Sequence, residues 1–230
     1  MKRSRFLWIS FDCYGTLIDW EKGILNTLKP LLKRSALKVD PLKVLRLYGE
    51  LESHFEKNYR PYREVLKLVL RALAERLGFE LRPSEEYLLA ETLPNWRPFP
   101  EVNETLLSLK DRGVKLALIS NTDRDLLSET MRLFSVAFDL VVIAEEARTY
   151  KPDPEIFELM LRRMGAPRSQ ILHVGQSLFH DIVPARRLGL TTCWVKRPGR
   201  DPYGATLPVE AEPDFVISDL SGLLTLLSSG

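Results

Sequence analysis

The sequence predicts an α/β protein, with a Rossmann-like parallel sheet and a helical segment inserted after the first strand. Three observations carry this. Short apolar runs rich in β-branched and aromatic residues alternate with helical patterns from residue 99 onward. One run of the same kind, FLWISF at 6–11, stands by itself near the start. Between the two, residues 20–98 carry helical periodicity and no convincing strand. Strands alternating with helices imply a parallel sheet covered on both faces.

FLWISF is bounded by polar residues and runs straight into Asp12 and a turn at Gly15. The insert follows with four amphipathic patterns: EKGILNTLKPLLKR, PLKVLRLYGELESHFEKNY, REVLKLVLRALAERLG and SEEYLLAETL. It returns through the proline-rich PNWRPFP. Two chain crossings, near 19–21 and 95–100, join it to the rest, which divides the chain into a core of 1–19 and 99–230 and a helical cap of 20–98. Trp20 and Trp96 flank those crossings and are expected to pack core against cap. In the core, KLALIS (115–120), LVVIA (140–144), ILHVG (171–175), TTCWVK (191–196) and DFVIS (214–218) read as strands. The helices between them carry their own punctuation. Gly113 and Gly165 close two of them, Pro154 opens one, Asp123 stands at an N-cap, and DIVPARRLG begins on Asp181.

Composition excludes several classes. Of 230 residues, 33 are basic and 31 acidic, a net charge of +2 that gives no support to nucleic-acid or membrane-surface binding. Two cysteines, Cys13 and Cys193, make no disulfide framework, and a cytoplasmic setting is expected. The basic MKRSR start leads into an apolar run too short for a signal peptide, and no stretch has the apolar length of a membrane span.

Four strand ends converge on one crevice in this arrangement. The first supplies Asp12, Tyr14 and Thr16, the second Ser120 and Asn121. YKPDPEIF after the third supplies Lys151, and HVGQSLFHD at the fourth supplies Gln176, Ser177 and Asp181. A carboxylate nucleophile needs donors to hold it and a cation to offset charge during attack, and this set provides both. Each residue also has a bland reading. Asp12 can cap its turn, Ser120 and Asn121 can be turn residues, Lys151 a surface lysine and Asp181 the N-cap of its helix. Their joint order at successive strand ends favours the functional reading. His173 reads as core, Cys13 as packing, and His180 as a partly exposed residue before the cap.

FDCYGTLID, ISN, YKPDPEIF and HVGQSLFHD resemble, in order and in strand position, the four motifs of the haloacid dehalogenase superfamily, along the whole chain. The resemblance implies that Asp12 is a nucleophile forming a covalent intermediate. It further implies that Ser120 and Asn121 bind the substrate anion, that Lys151 neutralises Asp12, and that Asp181 closes the site. Phosphatases of the superfamily carry a second Asp two residues after the first, which protonates an alkoxide leaving group. Here that residue is Tyr14. They usually carry an acid after the glycine of the fourth motif to help hold Mg²⁺, and here it is Gln176, a poorer ligand for a hard cation. Halide needs neither. D-x-Y-G-T and Y-K-P resemble the 2-haloacid dehalogenase branch, whose cap arginine cradles the departing halide. Arg46 is the candidate for that role, with Arg60 and Arg63 as competitors. The fourth motif departs from that branch, whose S-x-N-x-x-D pattern would need Ser and Asn at 176 and 178.

The resulting expectation is a hydrolase acting on a small anionic 2-halocarboxylate. Asp12, Lys151 and Asp181 would be catalytic, with Tyr14, Thr16, Arg46, Ser120, Asn121, Gln176 and Ser177 around the substrate. No metal or cofactor is assigned, and the chain is expected as a monomer or homodimer. One alternative is a Mg²⁺-dependent phosphatase using Asp12, the Tyr14 carbonyl and Asp181 for the metal. Another is a non-catalytic binding protein of the same fold.

Overall fold

The computed structural model describes residues 5–228. Six strands form one parallel sheet in the order β3-β2-β1-β4-β5-β6. They are β1 (Trp8–Phe11), β2 (Lys115–Ser120), β3 (Leu140–Ile143), β4 (Ile171–Gly175), β5 (Thr191–Val195) and β6 (Phe215–Ile217). β1 lies in the middle, with Phe11 opposite Leu118 of β2 and Val174 of β4. All four β1 residues are buried, as a central parallel strand requires. The chain moves outward one way through β2 and β3 and the other way through β4, β5 and β6. The order therefore reverses at β1 and β4, where open α/β sheets place their sites.

Around the sheet lie α5 (Val102–Asp111), α6 (Arg124–Met131), a short α7 (Ala144–Ala147), α8 (Pro154–Met164), α9 (Val183–Arg187) and α10 (Gly222–Leu226). The insert holds α1 (Trp20–Arg34), α2 (Pro41–Glu56), α3 (Tyr62–Leu77) and α4 (Leu88–Thr92), the last flanked by short 3₁₀ turns. Most of the basic start, residues 1–4, lies outside the described residues. Among the described residues no helix is long and apolar enough to cross a membrane.

The two crossings are tied to each other. The Asp19 amide donates to the Arg97 carbonyl and the Phe99 amide to the Leu17 carbonyl, at 2.9 and 3.0 Å. Trp96 meets Tyr14 edge-on at 6.3 Å, and Trp20 meets Tyr48 of α2 at 5.8 Å. Trp96 thus joins insert to core as the sequence suggests, whereas Trp20 packs on Tyr48 within the insert and meets the core through its indole nitrogen beside Gly15.

Asp123 departs from expectation. It stands at the N-terminus of α6, yet its side chain makes no bond to that helix. Its two oxygens instead accept the backbone N–H groups of Tyr62 and Arg63, at 2.8 and 2.9 Å. Those are the first amides of α3, whose own N-cap is Pro61 and offers no side-chain acceptor. A core carboxylate thus caps a helix of the insert. Arg200 bonds Asp19 and Glu21, and Tyr150 donates to the Arg60 carbonyl, adding to the same closure.

Candidate active site

Asp12 leaves β1 at its C-terminal end, its amide still paired to the Val174 carbonyl at 3.0 Å. The chain then turns sharply. The Leu17 and Ile18 amides fold back to the Cys13 carbonyl, and Gly15 sits at φ 101°. A side chain at residue 15 would be strained there, and its Cβ would lie 2.9 Å from the Trp20 indole nitrogen. The turn brings Thr16 back over the carboxylate. Its hydroxyl donates to Asp12 Oδ2 at 2.8 Å and accepts the Gln176 amide at 2.9 Å.

Lys151 supplies the cation. Its Nζ donates to Asp12 Oδ1 and to Asp181 Oδ1, both at 2.7 Å, and lies 3.3 Å from the Ile119 carbonyl. Only 2 % of the side chain is exposed. Asn121 holds the lysine's backbone from both sides: Oδ1 accepts the Lys151 amide at 2.7 Å, and Nδ2 donates to its carbonyl at 3.0 Å. Two carboxylates share one ammonium, and their environments differ. Lys151 and the buried His173 draw Asp181 well below the ordinary carboxylate range, against the effect of its own burial. Burial pushes Asp12 up, with Lys151 pulling the other way. Between its two carboxylates Lys151 is held firmly protonated.

The fourth strand end differs from the expected helix start. A π-helical turn, Leu178–Ile182, precedes α9, and its cap is Ser177, whose hydroxyl accepts the His180 amide at 2.9 Å. Asp181 therefore lies inside the turn and is no N-cap. This frees its carboxylate to reach Lys151. Gly175 makes room for it, since a Cβ there would fall 2.5 Å from that of Asp181. His180 is buried, not partly exposed, and burial lowers its pKa to about 4, so it is neutral at neutral pH. His173 is core, as expected, and its Nε2 lies 3.5 Å from Asp181 Oδ1.

A cavity of about 390 Å³, open mouth included, lies over Asp12. Its floor is Asp12, Ser120, Lys151 and Asp181, with Tyr14, Asn121, Ser177 and His180 at the sides. Of the substrate contacts the sequence suggests, Ser120 offers an unfilled buried hydroxyl. Thr16 and Asn121 are committed to holding Asp12 and Lys151. The Tyr14 hydroxyl pairs with Thr130 Oγ1 at 2.9 Å. Gln176 turns its side chain away, behind Gly15, towards the Pro202 carbonyl.

Arg46 lies elsewhere. It pairs with Asp201 at 2.9 Å, and its side chain is 59 % exposed. Along α2 it sits about 100° round from Leu45, off the buried stripe. Arg63 pairs with Asp125, and Arg60 reaches the Asn58 carbonyl. Among the described residues no arginine lines the cavity. Its roof is instead Glu52 and Glu56 of α2 with Tyr62 of α3. Glu52 Oε1 accepts the hydroxyls of Tyr48 and Tyr62, at 3.0 and 2.6 Å, and burial raises its pKa to about 7. Glu56 takes Asn121 Nδ2 at 3.3 Å, and burial followed by the Glu52 charge raises its pKa well above the usual range. Sequence reasoning missed these acids. The available signal was Glu52 four residues after Tyr48, on the apolar stripe of Val44 and Leu45, where an acid must be buried.

The donor set for a divalent cation is mixed. Asp12 and Asp181 each give an oxygen to Lys151 and the Gln176 amide faces away, while Asp181 Oδ2 is buried without a hydrogen-bond partner. Among the described residues no three His, Cys, Asp or Glu side chains gather as metal ligands.

Residues 9–195 match the family of haloacid dehalogenase-like hydrolases, and the chain belongs to that family. It is an enzyme of the hydrolase class. It is 29 % identical over 227 residues to the (S)-2-haloacid dehalogenase of Pseudomonas sp. (strain YL), covering 96 % of this chain and 94 % of that one. It is 26 % identical over 227 residues to a putative pyrophosphatase of Caldanaerobacter subterraneus, covering 95 % and 93 %. The fold resembles that of the L-2-haloacid dehalogenase from Xanthobacter autotrophicus with chloropropionic acid covalently bound. The TM-score is 0.80 at 21 % identity, over 97 % of this chain and 98 % of that one.

Proposed function

We propose that this enzyme removes halide from a small 2-halocarboxylic acid through an ester on Asp12, without a metal ion. The observation that carries the reading is the pairing of a fully held carboxylate with Tyr14, whose hydroxyl is committed to Thr130. The floor of the pocket thus offers a nucleophile and no acid beside it. Chloride and bromide leave as stable anions, whereas an alkoxide needs a proton from an acid beside the nucleophile. The similarity to an (S)-2-haloacid dehalogenase along nearly the full length supports the same choice.

The chain's own residues suffice for the steps. Thr16 and Lys151 fix the Asp12 carboxylate, so that Oδ attacks C2 in line as the carbon–halogen bond breaks. Ser120 donates its free hydroxyl to the substrate carboxylate. Water then attacks the Asp12 carbonyl carbon, one of its protons going to the departing alkoxide and the other leaving the site, while Lys151 stabilises the developing oxyanion and Asp181 keeps Lys151 charged and in place. The hydroxy acid departs and the Asp12 carboxylate is restored.

A paired assay tests this. L-2-chloropropionate is followed by halide release and p-nitrophenyl phosphate by phenolate release, each with Mg²⁺ and with EDTA. Halide release indifferent to EDTA is expected. Phosphate-ester cleavage that requires Mg²⁺, with no halide release, would replace this reading by the phosphatase one.

A further inference from the structure

We propose that Glu56 is a catalytic acid of this enzyme, donating from the roof of the cavity to the leaving group as Asp12 attacks from the floor. The inference rests on the dehalogenase reading and deepens it. An in-line displacement sends the leaving atom away from the nucleophile. The far side of this cavity is closed by α2, whose Glu52 and Glu56 stand four residues apart on one helix face. No guanidinium is there to receive an anion. Two ionised carboxylates would repel it.

The roof resolves this by dividing two acids between two roles. Glu52 accepts hydrogen bonds from two phenols on a single oxygen, which favours its charged form. Glu56 has no such pair. A single donor, Asn121 Nδ2, is shared between its two oxygens at 3.3 and 3.5 Å, and its side chain is only 7 % exposed. Across from it stands His180 Nε2, 3.9 Å from Glu56 Oε2, buried and without a hydrogen-bond partner. At that distance the imidazole makes no hydrogen bond to Glu56, and in its neutral form it offers no charge to offset a carboxylate. Burial and the neighbouring Glu52 both favour the protonated carboxyl at position 56. Two carboxyls whose surroundings push their proton affinities apart mark an acid and its companion. The other titratable groups facing Glu56 are Tyr48 on α2, Tyr62 on α3, Asp12, Tyr150, Lys151 and Asp181.

The balance is closed. The Asp12 Oδ–C2 bond forms as the C2–halogen bond breaks, and the electron pair leaves with the halogen. The Glu56 O–H donates to it, and for fluoride the proton transfers, leaving a Glu56 carboxylate and hydrogen fluoride. When water attacks the Asp12 ester, the proton it loses returns to Glu56 after fluoride release, and passes to solvent after chloride or bromide release, where Glu56 has kept its own. The sum is halo acid plus water giving hydroxy acid plus hydrogen halide.

The demand for a proton rises from bromide to fluoride, and the test uses that order. Halide release from 2-bromo-, 2-chloro- and 2-fluoropropionate is compared between the unaltered protein and Glu56→Gln, whose amide still donates a hydrogen bond but carries no transferable proton. Fluoride release is expected to fall by at least about a hundredfold and bromide release to stay within about threefold. Equal losses for all three halides would assign Glu56 a structural role and overturn the inference alone. So would an unaltered protein that releases bromide and never fluoride. No halide from any of the three would overturn the dehalogenase reading and this inference with it. A variant-free measurement guards against a misfolded Glu56→Gln. In D₂O the first-turnover release of fluoride from the unaltered protein should slow and that of bromide should not, and the absence of that difference would also overturn the proposal.

Discussion

The floor of the cavity sets charge against charge, while its roof, among the described residues, buries carboxyl groups without a lysine or arginine paired to them. On the floor one ammonium touches two carboxylates at 2.7 Å, and every partner comes from the end of a strand or the loop beyond it. On the roof two glutamates hang from one helix among tyrosines. The floor is an ion triad in which Lys151 is held protonated and Asp181 ionised, while burial pushes Asp12 up against the pull of Lys151. On the roof burial raises the proton affinity of both acids, that of Glu56 above that of Glu52. In the proposed reaction the nucleophile would sit on the sheet, and the group that meets the leaving halide on the helices clamped over it.

Breaking the floor should have the largest effect. Lys151→Met leaves two buried carboxylates facing each other, which should cost about 3–5 kcal/mol in a denaturant melt. It should lower kcat/KM by about a thousandfold or more, the scale of a lost charged group at the transition state. A variant that melts normally would show that the triad is not the electrostatic centre described above.

The roof should answer to pH instead. Glu52 has its folded pKa raised to about 7 from 4.5. The folded state therefore holds its proton more tightly than the unfolded chain does. This contribution to stability is complete below about pH 4.5 and is lost as pH rises through 7, up to on the order of 3 kcal/mol. Glu52→Gln should flatten that decline across pH 5–7, read from melts along a pH series. An unchanged slope would mean that the roof acids do not hold their protons.

The clamp between the two regions should give a smaller change. Asp123→Ala removes both acceptors from the first turn of α3, at about 1 kcal/mol. It should raise KM more than it lowers kcat, because the cap closes less often while the floor is intact. Smallest of all, Arg46→Ala removes an exposed ion pair and should shift stability by no more than about 0.5 kcal/mol, with kinetics unchanged. A large loss of activity there would restore Arg46 to the site.

The same division governs what the sequence can reveal. Asp12, Ser120 and Asp181 were legible because buried parallel strands are legible and the site of such a sheet lies at their ends. Lys151 followed from the order of the motifs. Gln176 was misassigned because the backbone at a strand end fixes where the amide N–H goes, not which way a five-atom side chain turns. Arg46 was misassigned because a helix displays its charges all round, and only the packing of α2 against the core decides which face becomes the roof. Asp123 shows the same limit. An N-cap residue is readable, but that it caps a helix 60 residues earlier in the chain follows from tertiary closure alone. The π-helical turn at Leu178–Ile182 moved the helix start from Asp181 to Ser177, a shift that residue preferences at caps do not distinguish.

The most direct test of the whole account is a single turnover in ¹⁸O water, with the enzyme in excess over L-2-chloropropionate. Water attacking the ester on Asp12 places ¹⁸O in the Asp12 carboxylate, and the first product molecule takes its oxygen from the protein. The account predicts label in the peptide containing Asp12 and none in that first product. Label in the product with none in Asp12 would mean that water attacks the substrate directly, and the covalent role assigned to Asp12 would be wrong.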